Sequence, residues 1–252
     1  MSTSALYTDL SHYYDLMCQD IDYKAQTLGV SRLQQFFGNG GQRHLDLACG
    51  TGPHIVHFLT EGYHCQGLDL NQPMLDLAKL RCPAAEFSKQ NICDFSLEQP
   101  VDLITCFLYS LHYCGTIANL TSCIMHVYQA LADGGVFCFN SVDKTFIDNG
   151  LLVRHQTTYE GSLFTFESGW FYQGTGEQQK LRLHIEKSCN ENTEAWHDEH
   201  PMVAVSFTEL QELLAPYFEV HLLEHDYEKI VPLSANTGNA LVVCIKRDAV
   251  QN

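Results

Sequence analysis

HLDLACGTGPHIVHFL, residues 44–59, opens like a buried strand, turns at Gly50 and Gly52, and continues behind Pro53 like an amphipathic helix. Two glycines at a strand-to-helix turn remove the Cβ atoms that would hold a ligand away from the backbone. Three ligand classes compete for such a turn. A dinucleotide fingerprint would need its third glycine where Ile55 stands, and a phosphate loop would need a following GK[ST] that is absent. A nucleoside sulfonium fits better. Asp46 at the strand's carboxyl end would attract its ammonium group, and the helix N-terminus at residue 53 would favour its carboxylate. The competing explanation is a tight strand-to-helix connection that binds nothing.

Outward from this turn the chain alternates strands and helices. Apolar spacing predicts helices over 22–37, 53–61, 72–80, 116–131 and 207–215. Asn71 is the expected N-cap of the third, with Pro73 in its first turn. Strands are expected over 43–48, 64–69, 86–90, 101–107, 135–141, 218–226 and 239–246. This order predicts an α/β fold, a doubly wound Rossmann-like sheet built by right-handed crossovers. After Asp143 the rhythm changes. SLFTFESGWFYQ, KLRLHIEKS and AWHDEHPMVAVSF read as strands joined by turns, so residues 150–205 are expected to form an antiparallel insertion after the fifth strand. GTG at 174–176 is expected to be a hairpin turn. Residues 1–252 are expected to form a single domain.

Composition excludes several functions. The net charge of −16, from 14 Lys and Arg against 30 Asp and Glu, opposes nucleic acid and anionic membrane surfaces as partners. The 11 cysteines include no CxxC pair and sit mostly in apolar runs, as reduced thiols do. The N-terminus has neither the basic nor the apolar segment of a signal peptide, and no apolar run could span a bilayer. A cytoplasmic, soluble protein is the expectation.

At LDLACGTG the sequence resembles the class I S-adenosylmethionine-dependent methyltransferases. GLDLNQPMLDLAK resembles that family's second strand and following helix, and KQNICDF its adenine segment. The resemblance implies a seven-stranded, mostly parallel sheet with an antiparallel last strand. The implied cofactor is S-adenosyl-L-methionine, released as S-adenosyl-L-homocysteine. It also implies that Tyr14, Asp46, Ala48, Gly50, Gly52, Leu70, Met74 and Phe107 contact the cofactor. Asp69 would hold both ribose hydroxyls, a role one carboxylate can fill. Asn91 and the Ile92 amide would meet the adenine, with Asn91 where many relatives carry Asp.

YTDLSHYYDLMCQDIDY, DLITCFLYSLHY, GGVFCFNS and the late DEH resemble a bacterial group of small-molecule methyltransferases, in which Asp and Asn commonly stand where this chain has Tyr109 and His112. The amino-sugar N,N-dimethyltransferases are more distantly similar. They imply that Tyr14 closes over the cofactor and that Tyr113 stands where a histidine often faces the acceptor.

Methyl transfer from a sulfonium chiefly needs alignment, and a base only if the acceptor is protonated. His112, Tyr113 and Tyr14 are therefore the candidate catalytic residues. His112 is either a proton acceptor or a packed histidine donating to a carbonyl, and packing is the favoured role for Tyr109. No metal is expected: neither His54 with His57 nor His197 with His200 brings a third ligand, and both pairs read as exposed polar faces. DEH at 198–200 is a candidate for the acceptor pocket, where acidic groups would suit an amine. Trp170, Phe171, Tyr172 and Trp196 are either its wall or strand core. The expected function is methyl transfer to a small molecule, with an amine as candidate acceptor, by a monomer or homodimer. The opposing class is a noncatalytic S-adenosylmethionine-binding module or sensor, and a nicotinamide oxidoreductase ranks third.

Overall fold

A computed structural model describes residues 7, 10–190 and 192–247. The strands are β1 (Arg43–Leu47), β2 (His64–Asp69), β3 (Glu86–Lys89), β4 (Val101–Cys106) and β5 (Leu131–Val142). They continue as β6 (Val153–Tyr159), β7 (Ser162–Tyr172), β8 (Gln178–Cys189), β9 (Asn192–Val203), β10 (Phe218–Glu224) and β11 (Asn239–Lys246). The α-helices are α1 (Tyr14–Met17), α2 (Tyr23–Phe37), α3 (Pro53–Thr60), α4 (Gln72–Arg81), α5 (Ile117–Ala130) and α6 (Phe207–Leu214).

The main sheet runs β3-β2-β1-β4-β5-β11-β10. β1 to β5 pair in parallel, and β11 is antiparallel to both its neighbours. This is the seven-stranded order the resemblance implied. Winding reverses between β1 and β4, so a crevice opens where their carboxyl ends diverge, the usual ligand position in such sheets.

Side-chain alternation divides the core between the sheet's two faces. Phe137 and Phe139 of β5 pack with Leu120, Ile124 and Leu210 from α5 and α6. Val136 and Cys138 pack on the other face with Val30, Leu33, Ile55 and Phe58 from α2 and α3. The helix starts are locally encoded. Asp22 accepts from the Ala25 amide, Thr116 from that of Asn119, and Ser206 with Glu209 forms a reciprocal capping box. Asn71 makes no side-chain cap; its amide turns back to Asp69 Oδ1 at 3.2 Å.

β6-β7-β8-β9 form a separate antiparallel sheet within the expected insertion. Its inner face packs Phe164, Phe166, Leu183 and Ile185 against Leu10, Tyr13 and Tyr14 of the N-terminal segment. All cysteines are free, and only Cys93 and Cys189 are not buried. No helix among the described residues is long and apolar enough to cross a membrane.

Candidate functional site

The glycine turn leaves β1 through three left-handed residues, Ala48, Gly50 and Gly52, with φ of 53°, 56° and 78°. Gly52 is the N-cap of α3 and Pro53 its first residue. A methyl group placed on Gly50 would meet only Tyr14 Cε1, at 3.8 Å. Space for a ligand therefore lies directly against the backbone. Parallel pairing brings the other expected segments beside it. Asp69 Oδ2 accepts from the Gly50 amide at 3.0 Å, Oδ1 from the Asn71 amide at 2.8 Å, and the Asp69 carbonyl from the Gln90 amide at 3.2 Å.

Asp46 is buried at 3% exposure and accepts from Thr105 Oγ1 at 2.7 Å. Since that hydroxyl donates to Asp46, it accepts from His44 Nε2 at 2.8 Å, which fixes the His44 tautomer. Burial raises the Asp46 carboxyl to about 7; the Thr105 hydrogen bond opposes this and the nearby Asp69 charge adds to it. Burial also raises Asp69, against its hydrogen bonds from Asn71 and Gly50. Two carboxylates held at this cost await hydrogen-bond donors or a positive charge.

Of the remaining cofactor candidates, Leu70 is exposed and Asn91 is exposed with its Oδ1 accepting from the Cys93 amide at 2.9 Å. Ile92 is buried beneath it. Met74 and Phe107 are turned inward, at 1% and 4% exposure, with the Phe107 ring on His54. Their side chains offer the crevice little surface.

Sequence reasoning missed how the N-terminal segment is fastened. Thr51 Oγ1, in the glycine turn, donates to Asp15 Oδ1 at 2.7 Å. Arg81, at the end of α4, pairs with Asp15 and donates to the Thr51 carbonyl at 3.0 Å. Tyr14 is thereby held beside Gly50. The pair is about one-third exposed, so its contribution is modest, about 0.5–1 kcal/mol. Asp15→Ala is expected to weaken S-adenosylhomocysteine binding two- to fivefold by calorimetry. An unchanged affinity would show that Tyr14 is held without this clasp.

Beyond Tyr14 lies a cavity of about 580 Å³ between the main sheet's edge, the N-terminal segment and the inner face of β6–β8. Tyr7, Tyr14, Tyr109, Tyr113, Phe166 and Trp170 contribute to its wall. Leu108 and Tyr109 leave β4 with left-handed φ of 52° and 61°. This strain is held by the Tyr109 amide donating to Asn140 Oδ1 at 3.1 Å, and it aims the Tyr109 ring at Trp170. Trp170 thus belongs to the wall. Phe171 instead lies under Arg182, and Trp196 packs with the insertion's core.

Tyr113 joins a polar chain behind that wall. Its hydroxyl lies 2.7 Å from Tyr7 Oη and 2.5 Å from His200 Nδ1. His200 is 3% exposed, and its Nε2 faces Asp198 Oδ2 at 3.7 Å. Burial lowers the His200 pKa while Asp198 opposes the fall. Tyr113 is pushed well above the usual phenol range, mainly by burial. A neutral His200 accepting from Tyr113 can take a proton and share its charge with Asp198. The earlier assignment of His200 to an exposed polar face is corrected; its neighbour His197 is exposed.

His112 needs the opposite correction. Its Nε2 accepts from the Val142 amide at 3.3 Å and lies 3.1 Å from Ser141 Oγ, so the proton sits on Nδ1, which donates to the Val203 carbonyl at 2.9 Å. Burial lowers its pKa to about 4. Both nitrogens are engaged, and the ring packs against Trp170 without itself lining the cavity, so His112 does not face an acceptor. His54 is likewise buried, bonded to Gln26 Oε1 at 2.7 Å, rather than part of an exposed face. No group of three metal ligands exists among the described residues.

Comparison with known proteins meets this geometry at the same segments. Residues 45–135 match a family model described as a methyltransferase domain. Over that segment the chain is similar to methyltransferase domains. It is 33% identical over 137 residues to the dTDP-4-amino-2,3,4,6-tetradeoxy-D-glucose N,N-dimethyltransferase of Saccharopolyspora spinosa, covering 53% of this chain and 55% of that protein. The chain spans about half the length of the curated relatives it matches. The crystal structure of Streptomyces venezuelae DesVI superposes with a TM-score of 0.81 at 22% identity, over 95% of this chain and 99% of that one. The S-adenosylmethionine-bound amino pentose methyltransferase CalS10 of Micromonospora echinaspora gives 0.79 at 20%, over 93% and 96%. At these identities the two superpositions establish the fold, Rossmann-like and shared with methyltransferases across nearly the whole chain.

Proposed function

We propose that this protein transfers a methyl group from S-adenosylmethionine to an amine on a small molecule. One observation carries the proposal: a turn open at Gly50, flanked by the buried carboxylates Asp46 and Asp69, leads past Tyr14 into an aromatic chamber. The open backbone fits a cradle that a Cβ would fill. Asp46 suits the ligand's ammonium, Asp69 the ribose hydroxyls, and the segment at Asn91 and Ile92 the adenine. The similar proteins, named for N-methylation of amino sugars, support an amine acceptor. A sensor would need the cradle but not the chamber, so the chamber favours catalysis.

Bound there, the cofactor would supply an electrophilic methyl group with a thioether as leaving group. The chain's own contribution is alignment, exclusion of water and proton handling. Tyr14 closes the junction between cradle and chamber. The insertion roofs the chamber, and we assign it the role of a lid on the acceptor. Tyr113 passes a proton from the acceptor nitrogen toward His200, giving up its own hydroxyl proton to Nδ1 as it receives one. Asp198 stabilises the imidazolium that results.

The test is calorimetry with S-adenosylhomocysteine and NAD, followed by single turnover with an amine panel. Binding of the first without the second, with methylated product, upholds the proposal. Cofactor binding without turnover on any amine would leave a binding module, and NAD binding would reverse the cofactor assignment.

Cofactor binding should also depend on pH. Asp46 titrates near 7 in the free protein, and a neighbouring ammonium favours its charged form. Binding below pH 7 must therefore expel a proton, and affinity should fall up to about tenfold per unit as pH drops below 7, with a plateau above. Titrations in buffers of different ionisation enthalpy should register the released proton, and Asp46→Asn should remove most of it. A flat profile from pH 5.5 to 8 would show that Asp46 meets no cation.

A further inference from the structure

The chamber's wall combines many aromatic rings with no lysine or arginine among its lining residues. Tyr7, Tyr14, Met17, Cys18 and Ile21 supply one side of it, and the sequence over residues 1–23 contains neither type. Strand alternation accounts for the roof. His155, Phe166, Trp170, Leu181 and Leu183 occupy the inward register of β6–β8, the cations Arg154, Lys180 and Arg182 take the alternate positions, and Lys187, inward beside Phe164, lies over the Phe164 and Tyr13 rings outside the chamber's lining. Each of those three is already paired, Arg154 with Glu167 at 3.3 Å, and Lys180 and Arg182 with Glu199 at 2.7 and 2.9 Å.

The ionisable groups that do line the chamber are mostly acids. Asp148 and Glu167 are among them, with the Glu167 carboxylate turned to Arg154 on the sheet's other face, and His155 bonds the Leu16 carbonyl through Nε2 at 3.3 Å. The rings stand at steep angles around the space: Tyr109 to Trp170 at 83°, Tyr7 to Tyr113 at 74° and Tyr7 to Tyr14 at 55°. Rings at several orientations around one space can offer negative quadrupole density to a cation. A diphosphate would instead enter a site with no guanidinium or ammonium among its lining residues to receive it.

Resting on the amine-methyltransferase reading, we infer that the acceptor is a phosphate-free organic amine, taken as a cation into an aromatic cage, and not a nucleotide-linked one. The chain's excess of 30 acidic over 14 basic residues acts in the same direction, repelling phosphorylated compounds and drawing in amines.

The full chain, saturated with S-adenosylhomocysteine, should be titrated with choline, its uncharged carbon isostere 3,3-dimethylbutan-1-ol, and thymidine diphosphate. Calorimetry and Trp170 fluorescence give independent readouts. Choline should bind at least tenfold more tightly than the isostere, and thymidine diphosphate should not bind at millimolar concentration. Trp170→Leu should bring choline to the isostere's level; should that variant misfold, Tyr109→Leu should reduce the same ratio at least threefold. Choline binding no tighter than the isostere, or any saturable binding of thymidine diphosphate, overturns the inference. Failure of S-adenosylhomocysteine to bind in the first step strikes the methyltransferase reading instead, so the two failures are distinguishable.

Discussion

Gly50→Val is expected to weaken S-adenosylhomocysteine binding at least a hundredfold, about 3 kcal/mol, while the seven-stranded sheet stays folded. Two effects combine at this residue. Its φ of 56° lies in the left-handed region, which a β-branched residue adopts only under strain. The valine methyls would also project into the space beside Tyr14, where nothing but that ring approaches. Asp69→Ala should do less, about 1.5–3 kcal/mol, because it removes one anchor and leaves the cradle's shape. It also strips the Gly50 and Asn71 amides of their acceptor, so Asp69→Asn, which keeps an acceptor oxygen, separates ribose binding from turn geometry. Calorimetry on variants with native melting behaviour decides the matter. A folded Gly50→Val protein with ordinary affinity would remove the glycine turn from the binding site.

The contrast between cradle and chamber explains which features the sequence discloses. The cradle is short in sequence. Asp46, Gly50 and Gly52 lie within seven residues, Asp69 ends β2 and Asn91 follows the end of β3, so motif and strand rhythm together locate them. Positive φ and close backbone approach restrict residue choice locally, and glycine makes the restriction visible. Exposure is another matter. Met74 faces inward because α4 packs on the sheet, and Phe107 because His54 rises from α3 to meet it, and neither fact is written in the residue's neighbours.

The polar chain is still less local. Tyr7 and Tyr113 are separated by 106 positions and Tyr113 and His200 by 87, so no spacing rule joins them. Strand alternation in DEH does carry a trace of it. Asp198 and His200 must share one face of β9 and Glu199 the other, and the inward face belongs to the first two. Histidine exposure depends on the same tertiary partners. His54 looks solvent-facing in isolation because imidazole is polar, yet its Nε2 finds Gln26 inside the fold, and both nitrogens of His112 find partners there.

His200→Ala is expected to lower the single-turnover rate of methyl transfer to a protonated amine by about 10²–10⁴, the scale of a lost general base, with cofactor affinity within twofold of the parent. His200 lies behind Tyr113, away from the glycine turn, so the cradle has no reason to respond. Tyr113→Phe should cost a similar factor, since removing the hydroxyl breaks the path from acceptor to imidazole. The double variant should then be no slower than the slower single one, as for groups that act as a unit. The pH profile supplies an independent readout. In the parent, His200 must be neutral to accept a proton, so the rate falls as pH drops through its ionisation, which burial places below the ordinary histidine value. That limb should vanish in His200→Ala. His112→Phe should behave differently. It leaves the Val142 amide and Val203 carbonyl unpartnered in the core, costing about 1–3 kcal/mol for each such group, and lowers the melting temperature without altering the limb. Additive losses in the double variant, or a limb that survives in His200→Ala and disappears in His112→Phe, would return the proton to His112 and leave the Tyr113–His200–Asp198 chain as a structural tie between the insertion and the sheet.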